Sequence, residues 1–163
     1  ERPVSGVTID RDQARLAILK VPDRPGIAGD IFGALASKRI NVDMIIQAFH
    51  QDGLVNDITF TVKRSDAEQA KQFLESLASE IAAEGVLSDE DVAKISIVGA
   101  GLMDQPDIAA RMFAALGRTG INIKMISTSD LRISCVISDE DAERAVNILH
   151  DLFHLDEDSE SSA

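Results

Sequence analysis

An internal repeat limits the folds open to this chain more than any other feature. The stretch over residues 21–47, VPDRPGIAGDIFGALASKRINVDMIIQ, returns further along the chain with its positions shifted by 81. Pro25, Ile27, Ala28, Phe32, Ala34, Leu35, Ile40, Asn41, Met44 and Ile45 recur as Pro106, Ile108, Ala109, Phe113, Ala115, Leu116, Ile121, Asn122, Met125 and Ile126. Chance does not keep that register. Each copy reads as a loop with an acid (Asp23, Asp104), a helix opened by proline, a short turn, and a strand entered through asparagine. Proline suits the first helical turn, where its missing N–H has no partner to lose. Such a loop aims free backbone N–H groups at whatever sits above it, and a helix N-terminus of that kind holds a carboxylate or phosphate.

In a chain of 163 residues the repeat decides for two small units rather than one ordinary domain. The net charge of -12 disfavours nucleic acid or an anionic membrane, because binding a phosphate backbone is driven by basic side chains. No Trp or Tyr offers a stacking platform, and the six Phe fall mostly at apolar-periodic positions that read as core. Cys135 is the only cysteine, so no intrachain disulfide can form, which fits a reducing, cytoplasmic setting. No apolar run is long enough to span a bilayer, and the start of the chain does not resemble a signal peptide. Because the chain opens on Glu1 rather than methionine, it is expected to be a processed or excised piece of something longer.

The elements follow from periodicity. Residues 4–9 and 14–21 are two β-prone runs separated by a polar break. A helix is predicted over 25–37, with Ile27, Ile31 and Leu35 on one stripe. A strand over 41–48 and its partner over 57–62 flank the turn signal Asp52-Gly53. A second helix over 66–83 exits through Gly85, before a short strand over 86–88. The second copy repeats this with a strand over 95–98, a helix over 106–118, a hairpin over 122–128 and 131–137, and a helix over 141–153. Past the hairpin the offset falls to 75, so that DITFTV at Asp57 matches RISCVI at Arg132. The second copy then lacks a closing strand, since DEDSESSA is too acidic and polar to be buried. The spare run at 4–9 can fill the vacancy. The expected architecture is α+β: two β-α-β-β-α-β ferredoxin-like units with antiparallel sheets and helices on one face, the second unit discontinuous and completed by the N-terminal strand. The expected boundaries are 14–93 for the first unit, 1–13 plus 94–155 for the second, and 156–163 as an acidic disordered tail. The sheet face opposite the helices needs cover, so pairing of units is expected.

A zwitterionic amino acid needs a carboxylate cradle and an ammonium acceptor close together, and the loop over 21–28 can supply both. The N–H groups of Ile27 and Ala28 suit the carboxylate, and Asp23 suits the ammonium. Asn41, Gln47 and Asn122 are polar residues read as lying at strand positions near such a loop, suited to a hydroxyl or amide edge.

The runs DRPGIAGDIFGALASKRINVDMIIQ, NDITFTV, KISIVGAGL and INIKMISTSDLRIS resemble the paired ACT domains of the regulatory region of aspartate kinase, which also occurs as a separate small (beta) subunit. The resemblance covers nearly the whole chain, and the INI-x-MISTS-x-x-RIS run carries its specificity. It implies intertwined units, a homodimer, threonine or lysine as effector, and feedback inhibition of aspartate-family amino-acid biosynthesis. It also implies a partner in the kinase catalytic domain or alpha subunit, which is expected to be absent from this chain, and no cofactor or metal. Carried over residue by residue, the effector lies between the loop of one unit and the opening strand of another. That places Asp23, Pro25, Gly26, Ile27, Ala28 and Gln47 of the first copy with Asn122 and Ile123 of the second. A pseudo-equivalent site would use Met103, Asp104, Pro106 and Asp107 with Asn41 and Val42. There the pattern breaks, because the family commonly has glycine where this chain has Asp107; a carboxylate beside a carboxylate cradle repels, leaving that site empty or tuned to a cationic ligand such as lysine.

Other readings stand beside these. Asp23 and Asp104 could cap helices instead of binding ligand, and Asn41 and Asn122 could only end turns. Gly99-Ala100-Gly101 suggests a phosphate loop but lacks the third glycine. His150 and His154, four apart on a helix, have no evident third metal ligand. Met44, Met125 and Cys135 read as core. A stand-alone ACT-type sensor regulating another protein is the alternative function. An RNA-binding domain of the same strand order is opposed by the acidic charge and the missing sheet aromatics.

Overall fold

The computed structural model describes residues 3–155, so the expected acidic tail lies outside the described residues. Twelve elements follow one another: β1 (Gly6–Asp10), β2 (Ala14–Pro22), α1 (Ile27–Ser37), β3 (Ile45–Phe49), β4 (Val55–Val62), α2 (Ala67–Glu80), β5 (Gly85–Asp89), β6 (Val92–Val98), α3 (Pro106–Arg118), β7 (Met125–Thr128), β8 (Arg132–Ser138) and α4 (Ala142–Leu152). Contacts divide the chain into two compact units. One is residues 12–90; the other joins the N-terminal segment up to Arg11 to the chain from Asp91 onward.

In the first unit the sheet order is β3-β4-β2-β5, with every neighbouring pair antiparallel. Alternation along the central strands puts Leu16 and Ile18 of β2, with Ile58 and Phe60 of β4, on one face. There they meet Ile27, Ile31 and Leu35 of α1 and Ala70 and Leu74 of α2. Phe32 adds an edge-to-face contact with Phe60 at 5.5 Å between ring centroids. Each such buried Leu or Ile contributes roughly 1.5–3 kcal/mol relative to leaving it in water.

The second unit has the same layout in the order β1-β6-β8-β7. Its outer position beside β6, taken by β5 beside β2 in the first unit, is filled by β1, which pairs antiparallel with β6 from Gly6↔Val98 to Asp10↔Lys94. The N-terminal strand therefore does complete this unit. Val4, just before it, is 2% exposed and belongs to the core with Ile95, Ile97, Met112 and Leu149. A Cβ on Gly99 would land on the Pro3 carbonyl oxygen, so the first glycine of Gly99-Ala100-Gly101 serves close approach of the N-terminal segment.

Several element ends depart from the periodicity, among them β6, which begins at Val92. Helix α1 begins at Ile27, not Pro25, because Gly26 at its N-cap is left-handed with φ 89°; only in the second copy does proline, Pro106, open the helix. Strands β3 and β7 begin at Ile45 and Met125, three to four residues after the asparagines. In the first copy the Thr61 hydroxyl accepts the Met44 N–H at 3.0 Å, and Asp43 N–H reaches the Thr61 carbonyl at 3.0 Å, which bends the approach to the ladder. Helix α2 ends at Glu80 with the left-handed turn on Ala82, φ 63°, while Gly85 opens β5.

Candidate functional site

The loop between β2 and α1 is built by a change of register. Strand β2 pairs regularly with β4 as far as Ile18↔Ile58, then resumes at Val21↔Asn56 and Pro22↔Val55. Leu19 and Lys20 together oppose Asp57, which is a β-bulge. Lys20 is left-handed, φ 51°, a conformation costing a non-glycine residue roughly 1–2 kcal/mol. Its N–H donates to Asp57 Oδ1 at 2.8 Å, and His50 Nε2 lies 3.0 Å from the same oxygen. Burial raises the Asp57 carboxyl; the Lys20 N–H bond and the His50 hydrogen bond and charge outweigh that, and the group titrates below its ordinary value. Beyond the bulge, Asp23 N–H donates to the Leu54 carbonyl at 3.0 Å, tying the loop to the β3–β4 hairpin.

From there the chain turns through Pro25 and Gly26 into α1. No side chain caps this helix. The Ile27 N–H donates to the Arg24 carbonyl at 3.3 Å. The donors left by helix geometry are Ala28 and Gly29, since Asp30 N–H already closes on Gly26. Asp23 is exposed, and among the described residues its carboxylate has no hydrogen bond or ion pair; it does not cap α1. Arg24 stands 3.8 Å from Asp30 at the same helix end, so both charge signs border the loop.

The second copy is closed differently. A 3₁₀ turn over Leu102–Asp104 precedes α3, and the N–H groups of Asp104, Gln105 and Ile108 are satisfied by Gly101, Leu102 and Gln105 carbonyls. Pro106 has no N–H, and Asp107 puts its own carboxylate in the first turn. Gln105 is the N-cap, so Asp104 does not cap this helix either. Met103 is 62% exposed.

Of the other residues singled out in sequence, Gln47 is exposed on β3 opposite Ile58. Asn41 and Asn122 are exposed in the links that precede β3 and β7, not within those strands. Val42 and Ile123 are half-buried against the cores of their own units. Two residues escaped the sequence reading. Asp57 belonged to a strand run and gave no local sign of its reach to Lys20. Asn56 is 2% exposed with no partner for Oδ1 among the described residues, on the rung opposite Val21; a buried acceptor left unmatched costs about 1–3 kcal/mol. Cys135 is fully buried, and burial pushes its thiol up to about 12, so it is no nucleophile at neutral pH. No group of three possible metal ligands occurs among the described residues, and no helix among them is long and apolar enough to cross a membrane.

Two βαββαβ units, each with a loop leading onto the N-terminus of its first helix, define a tandem ACT-domain protein. The ACT domain matches residues 15–82 and 95–153. The chain is similar to the solved regulatory subunit of aspartate kinase from Thermus thermophilus, with 44% identity and a TM-score of 0.85 over 92% of this chain and 99% of that one. A structure of aspartokinase alpha and beta subunits gives 40% identity and a TM-score of 0.87 over 93% of this chain and 99% of that chain. An aspartate kinase of Stutzerimonas stutzeri is 44% identical over 157 residues, which are 96% of this chain and 38% of that enzyme. This chain belongs to the aspartate kinase family and corresponds to its regulatory ACT region. It spans only 38% of the length of the curated relative it matches.

Proposed function

We propose that the chain binds threonine, lysine or both at the loop before α1, and that this binding carries feedback inhibition to an aspartate kinase catalytic domain or alpha subunit. The observation that carries this reading is the open N-terminus of α1, uncapped by any side chain, beside an Asp23 carboxylate without a partner of its own. Ala28 and Gly29 N–H groups offer two donors to the amino-acid carboxylate, and the helix end favours negative charge there. Asp23 accepts from the ammonium. Gln47, Asn122 and Ile123 complete the site, the last two from a second unit. The chain pairs with a second copy to assemble it. The second loop, with the Asp107 carboxylate in the first turn where the first loop has Gly26, is the poorer carboxylate site. A cationic effector suits it better.

Isothermal titration with threonine and lysine, singly and together, tests this, with sedimentation on the same samples. The expected result is saturable heat with at least one of the two and a dimer in its presence. No heat with either, from a folded chain, would refute the reading, and a strict monomer at micromolar concentration with effector present would refute the pairing.

A further inference from the structure

We propose that Asp57 is a positioning residue of the effector loop, acting by holding the left-handed turn at Lys20; this rests on the loop being the effector cradle. The bulge at Leu19–Lys20 sets the register in which β2 resumes at Val21↔Asn56 and Pro22↔Val55, the two rungs that lead into Asp23 and the start of α1. A lysine does not stay left-handed without support. Asp57 supplies that support through the 2.8 Å bond from the Lys20 N–H, and His50 at 3.0 Å fixes the carboxylate that accepts it. The ties beyond the bulge, the Val21 and Pro22 rungs and Asp23 N–H to the Leu54 carbonyl, are ordinary backbone pairing with the hairpin.

The second unit offers a comparison, since β6 runs to its end against β8 without a bulge. There the left-handed turn falls three residues beyond the last rung, Val98↔Arg132, at Gly101 with φ 70°. At the offset of 75 the counterpart of Asp57 is Arg132, which cannot accept an N–H. The left-handed turn at Gly101, outside the ladder, has no carboxylate clamp from the position matching Asp57; the left-handed turn at Lys20, inside the bulge, has one. Glycine populates this region at no steric cost, which explains the difference. Asp57 also borders a groove of about 410 Å³ on the open sheet face, with Arg15 and Asp89, so direct contact with a ligand there is the competing explanation that the test must separate.

The intact chain, Asp57→Ala, Asp57→Asn, Lys20→Gly and the double variant Asp57→Ala/Lys20→Gly are compared by titration with threonine and lysine and by amide NMR without ligand. Asp57→Ala is expected to weaken binding by about tenfold, the scale of one charge-assisted hydrogen bond, and to move the free-state Ala28 and Gly29 amides. Asp57→Asn keeps an acceptor and should fall between Asp57→Ala and the parent, so it carries the test if the alanine variant does not fold. Lys20→Gly alone should bind like the parent, and in the double variant it should restore affinity to within about twofold and return the two amides. A double variant as weak as Asp57→Ala, or Ala28 and Gly29 amides unmoved by loss of Asp57, would overturn the proposal. If the parent binds neither amino acid, the effector reading fails on its own, and the amide shifts still decide whether Asp57 sets the loop.

Discussion

A chain lacking residues 1–9 is expected to lose the fold of its second unit rather than merely soften it. The deletion removes nearly all of β1, whose pairing with β6 runs from Gly6↔Val98 to Asp10↔Lys94, and takes Val4 from the core. A buried valine contributes about 1.5–3 kcal/mol and each backbone hydrogen bond about 0.5–1.5 kcal/mol. The total rivals the roughly 5–15 kcal/mol that holds an entire domain. It also leaves β6 as an unpaired edge, open to association with other chains. Differential scanning calorimetry should show the transition of this unit abolished or displaced far downward. A subtler variant, Gly99→Ala, should act in the same direction by about 1–3 kcal/mol, because its Cβ takes the place of the Pro3 carbonyl oxygen. An unchanged melting temperature for the truncated chain would contradict the role given to β1.

The second large effect is expected from Asp23→Asn. The change keeps size and removes charge. Had Asp23 capped α1, asparagine would replace it well; with Gly26 at the N-cap and no side-chain cap bond, there is no such role to preserve. Stability should therefore stay within about 0.5 kcal/mol, as for ordinary surface changes. Effector affinity should fall by about ten- to a hundredfold, the loss of a charge-assisted hydrogen bond worth roughly 1.5–3 kcal/mol. In an intact enzyme this would appear as relief of feedback inhibition, since an effector shifts a conformational equilibrium only by its differential affinity for the two arrangements. Unaltered binding in calorimetry would remove Asp23 from the site.

What could be read beforehand follows the range of the interactions involved. The repeat and the vacancy filled by β1 are legible because hydrophobic periodicity and the count of strands per unit are properties of whole segments. Local conformation set by distant partners was not. Nothing in VTIDRDQARLAILKVP announces that Lys20 turns left-handed, since the bulge carries no glycine and its acceptor, Asp57, lies 37 positions on. The late start of β3 depends in the same way on the Thr61 hydroxyl. Pro25 misled for the opposite reason. Its preference for a first helical turn is sound, but the glycine after it takes a φ that no helix contains, and the helix waits for Ile27.

The cradle itself is tested most directly by amide NMR of the intact chain titrated with threonine and with lysine. If the effector carboxylate sits on the open end of α1, the Ala28 and Gly29 amides should show the largest shifts, with Asp23 close behind and Ile108, already bonded to Gln105, moving less. Saturable shifts elsewhere that leave Ala28 and Gly29 unmoved would contradict the account.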